Sequence, residues 1–183
     1  KITRKILKEL INVNCNLNIS TKSKLILRDL DLLKQMKNLM VSMSINTLDE
    51  NFKEDMDNAS SIKERLNTLR TLHENGIYTV LFMSPIFPYI TNFKDIIEIS
   101  KEYIDEYWFE NLNLRGEYKT KILLYIQEKY PKLINEYNDI YIKGNKKYWN
   151  DLSKEIKDYC EINNVKYINY FYHEKLVENK KNG

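Results

Sequence analysis

The chain has 183 residues, 43% of them apolar and 30% charged, with 29 basic against 26 acidic side chains and a net charge of +3. This supports one domain with its own core, leaves no run of about eighteen apolar residues to cross a bilayer, and gives a basic surplus too small to argue by itself for nucleic acid. The two cysteines, Cys15 and Cys160, stand far apart. No Cys-x-x-Cys pair and no four-thiolate site can be written from them, and they fit a reducing cytoplasmic setting better than a secreted disulfide scaffold.

In chain order, Ile6, Leu7, Leu10 and Ile11 recur at helical spacing, so residues 3–11 predict a helix leading into a first strand, Leu17 to Thr21. The chain starts at Lys1 and by Thr3 already reads as the middle of something. It is therefore expected to be a fragment or a processed product, with its first strand at a sheet edge. Asp29 precedes Leu30, Leu33 and Met36, and Lys34 and Lys37 stand at the end that favours cations, which predicts a second helix. Leu39 to Ile45 reads as a strand buried on both faces, and Thr47 to Ala59 as a long polar loop. Ser61 and Glu64 make a capping box for a helix whose face is Ile62, Leu66, Leu69 and Leu72, stopped by Gly76.

Ile77 to Met83 is a third strand, ending in Ser84-Pro85-Ile86-Phe87-Pro88. Asn92 and Asp95 open a helix bearing Ile96, Ile97 and Ile99, and residues 105–114 hold a fourth strand. Beyond Gly116 the rhythm becomes helical: Tyr118 to Tyr130, then Lys132 to Tyr141 after the break at Pro131, then Lys146 to Ile162. A last strand within Val165 to Phe171 and a polar end follow. No Gly-, Ser- or Pro-rich linker intervenes, so residues 1–183 read as one domain, with βα repeats over 1–116 and a mainly helical extension over 117–183. Successive helix and strand units predict an α/β fold on a parallel sheet, a segment of a barrel or an open doubly wound sheet.

Parallel sheets carry their ligand chemistry at the C-terminal ends of strands. Two such ends are polar here, Ser20-Thr21-Lys22-Ser23 and Ser42-Met43-Ser44-Ile45-Asn46-Thr47. Lys22 is either a solvated lysine or a flexible cation that crosses the mouth of the sheet to a carboxylate or phosphate. Ser44, with Asn46 and Thr47, offers donors and acceptors for a ribose or an amino-acid head group. Arg115, after the fourth strand, enters the same rim. Ile86, Phe87 and Ile90 either cover a base or seal the rim, and the aromatics Tyr141, Tyr148, Trp149, Tyr167, Tyr170, Phe171 and Tyr172 either stack on a base or belong to the core. His73 reads as a cation at a helix C-terminus, and His173, without partner ligands, gives no metal site.

The order and spacing of Ser20-Thr21-Lys22-Ser23, Leu27-Arg28-Asp29-Leu30-Asp31-Leu32-Leu33, Ser44-Ile45-Asn46-Thr47, Ser84-Pro85-Ile86-Phe87-Pro88 and Leu112-Asn113-Leu114-Arg115 resemble the third to sixth strands of the spore photoproduct lyase-like branch of the radical S-adenosylmethionine (SAM) enzymes. That resemblance implies a partial (β/α) barrel, a 4Fe-4S cluster and reductive cleavage of SAM to a deoxyadenosyl radical. It raises DNA repair as the activity of the whole enzyme. It also implies that the lysine after the third strand and the serine after the fourth contact SAM, which carries over to Lys22 and Ser44; Asn46 and Arg115 complete the cofactor-binding candidates. The family's cluster cysteines have no counterpart in this chain and would lie upstream of Lys1, so these residues alone should not cleave SAM. The expected partners are SAM and the upstream part of the same polypeptide, with nucleic acid left open and no membrane. Two other functions would use the same strand ends: a cluster-free α/β module binding phosphate or nucleotide, or a non-catalytic interaction domain.

Overall fold

The computed structural model describes residues 2–171. Five parallel strands form one sheet in chain order: β1 (Leu17–Thr21), β2 (Leu39–Ser44), β3 (Tyr78–Ile86), β4 (Glu106–Asn111) and β5 (Tyr167–Asn169). Helix α1 (Ile2–Leu10) precedes β1, and a 3₁₀ turn with α2 (Leu30–Leu33) joins β1 to β2. Helices α3 (Glu50–Met56) and α4 (Ile62–Glu74) join β2 to β3, and α5 (Phe93–Ser100) joins β3 to β4. Helices α6 (Gly116–Lys129), α7 (Ile134–Tyr141) and α8 (Lys147–Ile162) join β4 to β5. Parallel neighbours need crossovers of this kind, and strands taken in chain order with helices between them make a partial (β/α) barrel. Among the described residues β1 pairs only with β2 and forms one edge of the sheet.

Register decides what each face carries. Ile19 lies beside Val41, Thr21 and Leu81 beside Met43, and Leu81 beside Tyr107, so these side chains share one face. Helix residues Leu7, Leu32, Leu33 and Leu72 pack there against Leu39 and Val41, and Leu69, Ile96, Ile97, Ile126 and Ile156 belong to a larger core with Met43, Leu81 and Phe109. Each such side chain contributes roughly 1.5–3 kcal/mol by leaving water, which holds the helices on this face. The opposite face carries Asn18, Ser20, Met40, Ser42, Ser44, Tyr78, Val80, Phe82, Glu106, Trp108 and Ile168. Val80 on this face is fully buried, but none of its apolar residues joins either of the two core clusters.

The capping box forms as the sequence predicts: Ser61 accepts from the Glu64 N–H, the Glu64 carboxylate accepts from the Ser61 N–H, and Gly76 turns the chain out of α4 at φ +76°. Residues 47–59, read as a loop, instead contain α3. Its N-cap Asp49 accepts from the Asn51 and Phe52 N–H groups at 2.9 and 3.4 Å. Phe52 anchors it: the ring is buried, with centroids 5.0 Å from Phe87 and 6.1 Å from both Tyr125 and Tyr130, and Met56 packs against the same core one turn on. Two apolar residues one turn apart in a polar segment are too short a stripe to read as a helix face.

The helix expected after Asp29 as far as Lys37 is shorter, ending at Leu33, and a 3₁₀ turn leads into it. Ser23 Oγ accepts from the Leu25 N–H and opens a 3₁₀ turn over Lys24–Asp29, and Asp29 is buried against Arg28 and Arg4. Strand β3 continues past Met83 to Ile86, through a cis Ser84–Pro85 peptide and a register shift. His73 Nδ1 lies 3.4 Å from Asp105 Oδ2. Tyr172, His173 and the polar end from Glu178 lie outside the described residues. No helix among the described residues is long and apolar enough to cross a membrane.

Candidate functional site

Lys22 follows β1, Ser44 ends β2 and Asn46 follows it, so all three stand at the C-terminal edge of adjacent strands. The pairing of Thr21 with Met43 sets Lys22 level with Ser44. Lys22 Nζ donates to Asp57 Oδ2 at 3.1 Å, with 43% of its side chain exposed. Ser44 lies on the face turned away from the two cores, and its carbonyl accepts from Arg65 Nη1 at 3.0 Å. Asn46 Nδ2 donates to the Pro85 carbonyl at 2.7 Å and ties the end of β2 to β3. Arg115, exposed at the N-cap of α6, donates from Nε to Asn113 Oδ1 at 3.2 Å. The structure therefore groups Lys22, Ser44 and Asn46 and sets Arg115 apart, beyond β3 and past the end of β4.

Hydroxyls line the same face behind this rim. Ser20 and Ser42 Oγ are 2.6 Å apart, and Ser42 also donates to Asn18 Oδ1 at 3.3 Å. Toward β4 the face turns aromatic: Trp108 meets Phe82 edge-on at 5.6 Å and Tyr170 at 5.7 Å. Ser84 Oγ donates to Glu110. The Trp108 indole N–H is buried with no hydrogen-bond partner, an orphan donor in this polar and aromatic surface. Ile86 and Phe87 are buried in the larger core and Ile90 packs against it, so they seal the rim. Trp149 and Phe171 are core residues with centroids 5.2 Å apart.

Sequence reasoning missed Asp57 and Arg65. Arg65 occupies the buried stripe of α4 with Ile62, Leu69 and Leu72, and a lone arginine at an apolar position was the signal available. Burial pushes the Asp57 carboxyl up, but the Ala59 N–H and the Arg65 and Lys22 donors outweigh it and hold the group below its ordinary value.

A sequence model described as the radical SAM superfamily matches residues 1–103, more than half of the chain. The chain belongs to the radical SAM superfamily. Uncharacterized protein MJ0683 of Methanocaldococcus jannaschii is 40% identical over 133 residues, covering 72% of this chain and 50% of its own length. Uncharacterized protein ORF301 of Acidianus two-tailed virus is 32% identical over 168 residues, covering 80% of this chain and 55% of its own. The chain thus spans about half the length of these relatives. Among solved structures, Streptococcus suis SuiB bound to S-adenosylmethionine superposes with a TM-score of 0.59 at 16% identity over 91% of this chain and 35% of its own. A spore photoproduct lyase complexed with dinucleoside spore photoproduct gives 0.50 at 18% identity over 71% and 40%. At these identities the two structures bear on the fold alone.

Membership of the radical SAM superfamily implies SAM and a 4Fe-4S cluster. The thiols of this chain do not fit the cluster: Cys15 is exposed ahead of β1, and Cys160 is buried in α8, where burial pushes the thiol up to about 11. The rim does fit SAM in donor chemistry, with an ammonium, a hydroxyl and an amide on adjacent strand ends and an orphan indole donor on the same face.

Proposed function

We propose that this chain supplies the far side of the SAM site of a radical SAM enzyme of the spore photoproduct lyase-like branch, with the cluster thiolates provided outside these 183 residues. The supporting observation is that Lys22 and Ser44 each stand one residue past the Thr21–Met43 pair that closes the β1–β2 register, inside the stretch that matches the superfamily. Lys22 would take the SAM carboxylate, and Ser44 and Asn46 would hold polar groups beside it. Arg115 stands further along the rim, past the end of β4. Bound SAM supplies the radical chemistry of this superfamily; the residues here bind and orient it. No feature of the site selects DNA over another substrate, so the reading is made at the level of SAM binding.

A charge-assisted hydrogen bond from lysine to a carboxylate contributes roughly 1.5–3 kcal/mol. Lys22 is 43% exposed and already engaged by Asp57, which places the net effect at the lower end, about tenfold in affinity. Calorimetry on the full gene product, reconstituted anaerobically, should show Lys22→Ala weakening SAM by that factor with iron content unchanged. Unaltered affinity would refute the assignment and favour a phosphate-binding rim.

A further inference from the structure

Lys22 is one of three cations that meet Asp57. Arg65 Nη2 donates to Asp57 Oδ1, Lys22 Nζ donates to Oδ2 at 3.1 Å, and Lys53 Nζ stands 3.8 Å from Oδ1. The Ala59 N–H also donates to Oδ1, at 3.0 Å. The Arg65 and Lys53 side chains are only 3% and 7% exposed. Arg65 reaches further than Asp57: Nε donates to the Ser60 carbonyl at 2.7 Å and Nη1 to the Ser44 carbonyl at 3.0 Å. One buried guanidinium therefore grips the end of β2 with one nitrogen and, with another, the carboxylate that grips the lysine after β1. The planar fork of arginine suits this task, because its donors are fixed in angle relative to one another.

Two features make this more than the wiring of a loop. The first is charge: one carboxylate answers three cations within 4.0 Å, so the cluster keeps a positive surplus at the rim even with Asp57 in it. Asp57 can orient Lys22 without cancelling its attraction for a second carboxylate. The second is entropy: a free lysine side chain gives up rotamer freedom when it meets a ligand, and one already held at the right height gives up less.

We infer that Asp57 and Arg65 are positioning residues of the SAM site, Arg65 setting the distance between Ser44 and Asp57, and Asp57 holding the Lys22 ammonium level with Ser44. Helix α3 delivers Asp57 to the rim. The inference rests on the proposal that Lys22 meets the SAM carboxylate, and it adds the residues that act through Lys22.

The test is a thermodynamic cycle in the full gene product, anaerobic and reconstituted, with the SAM dissociation constant read by calorimetry and the melting temperature measured alongside. Asp57→Asn should raise the Kd about threefold to tenfold by itself, and by less than about twofold when Lys22 is already alanine. A merely structural Asp57 would weaken SAM equally in both backgrounds, and that result overturns the inference; so does tighter binding in Asp57→Asn, which would make the carboxylate a competitor. Arg65→Lys keeps the charge but loses the fork, and should weaken SAM at least as much as Asp57→Asn. A folded Arg65→Lys protein with unchanged Kd removes Arg65 from the argument. If Lys22→Ala leaves affinity intact, the SAM reading itself fails; if Lys22→Ala weakens SAM and Asp57→Asn does not, the positioning role alone fails.

Discussion

Truncating Phe52 to alanine tests whether α3 is a docked element. Its ring is 1% exposed and meets Phe87, Tyr125 and Tyr130 edge-on, so the substitution removes both the transfer free energy of the ring and the three aromatic contacts. Phe→Ala in a core costs about 3–5 kcal/mol, the larger values belonging to sites that cannot collapse. Asn51, Glu54 and Asp55 are exposed or nearly so, and α3 lies at the surface with room to settle inward, so the lower figure of about 3 kcal/mol applies. In a chain of this size that corresponds to a fall of about 6–12 °C in melting temperature. Urea and thermal unfolding of the 183-residue chain, followed by circular dichroism, measure both quantities. Phe52→Leu should recover more than half of the loss, because most of the buried volume returns. A cost below about 1 kcal/mol for the alanine variant would refute the reasoning, since α3 would then be as weakly held as its polar sequence suggests.

Two further outcomes follow from the side-chain environments. An aromatic disulfide reagent at pH 8 should modify Cys15 rapidly and Cys160 only after denaturation, because Cys15 is exposed while Cys160 is buried with its thiol pushed up to about 11; two equally fast thiols would contradict the packing of α8. Asp29, held below its ordinary value chiefly by Arg28 with burial opposing, and Asp57, held low against its own burial, both bind protons more readily unfolded than folded. Their contribution to stability is complete above the ordinary aspartate range and is lost as pH falls through their lowered folded values. The urea midpoint should therefore drop between pH 6 and pH 3, and drop less in Asp57→Asn; an unchanged wild-type midpoint would contradict both ion-pair assignments.

The strands were legible because β1 alternates Leu17 and Ile19 with polar residues and β2 is a short, largely apolar run, each closed by polar residues, and α4 because Ser61, Glu64 and Gly76 mark its ends within a regular stripe. Helix α3 was not, because its docking rests on Phe52 and on partners from β3's loop and from α6, which are brought to it only by the fold. The same distinction runs through the site. Lys22 and Ser44 could be picked out because each directly follows or ends a strand, a position that has meaning in one dimension. Asp57 and Arg65 acquire theirs from contacts with Lys22, after β1, and Ser44, at the end of β2, both distant in sequence, and Asp57 sat inside the segment read as a loop. Arg65 did leave a trace, as the charged member of an apolar stripe, and a buried arginine without an assigned partner is a question that sequence alone can pose.

Parallel sheets covered on both faces have strands that are apolar throughout. Strand β1, Leu17-Asn18-Ile19-Ser20-Thr21, alternates instead, and β2 pairs Val41 and Met43 on one face with Ser42 and Ser44 on the other. The register brings Ser20 beside Ser42, so these hydroxyls satisfy each other across the strands. A face built that way leaves few polar groups unsatisfied by itself and still offers donors and acceptors, since each hydroxyl can both give and receive. Across β3 and β4 the same face becomes Phe82 and Trp108, edge to face at 5.6 Å. The surface is thus graded: hydroxylated at β1 and β2, with Lys22 beyond the end of β1, and aromatic where Phe82 and Trp108 meet on β3 and β4. An amphipathic ligand with a charged amino-acid end and a flat heterocyclic end meets complementary chemistry at both, whereas inorganic phosphate would use only the first half. The proposal that SAM rather than phosphate binds this rim draws on that gradient more than on any single side chain.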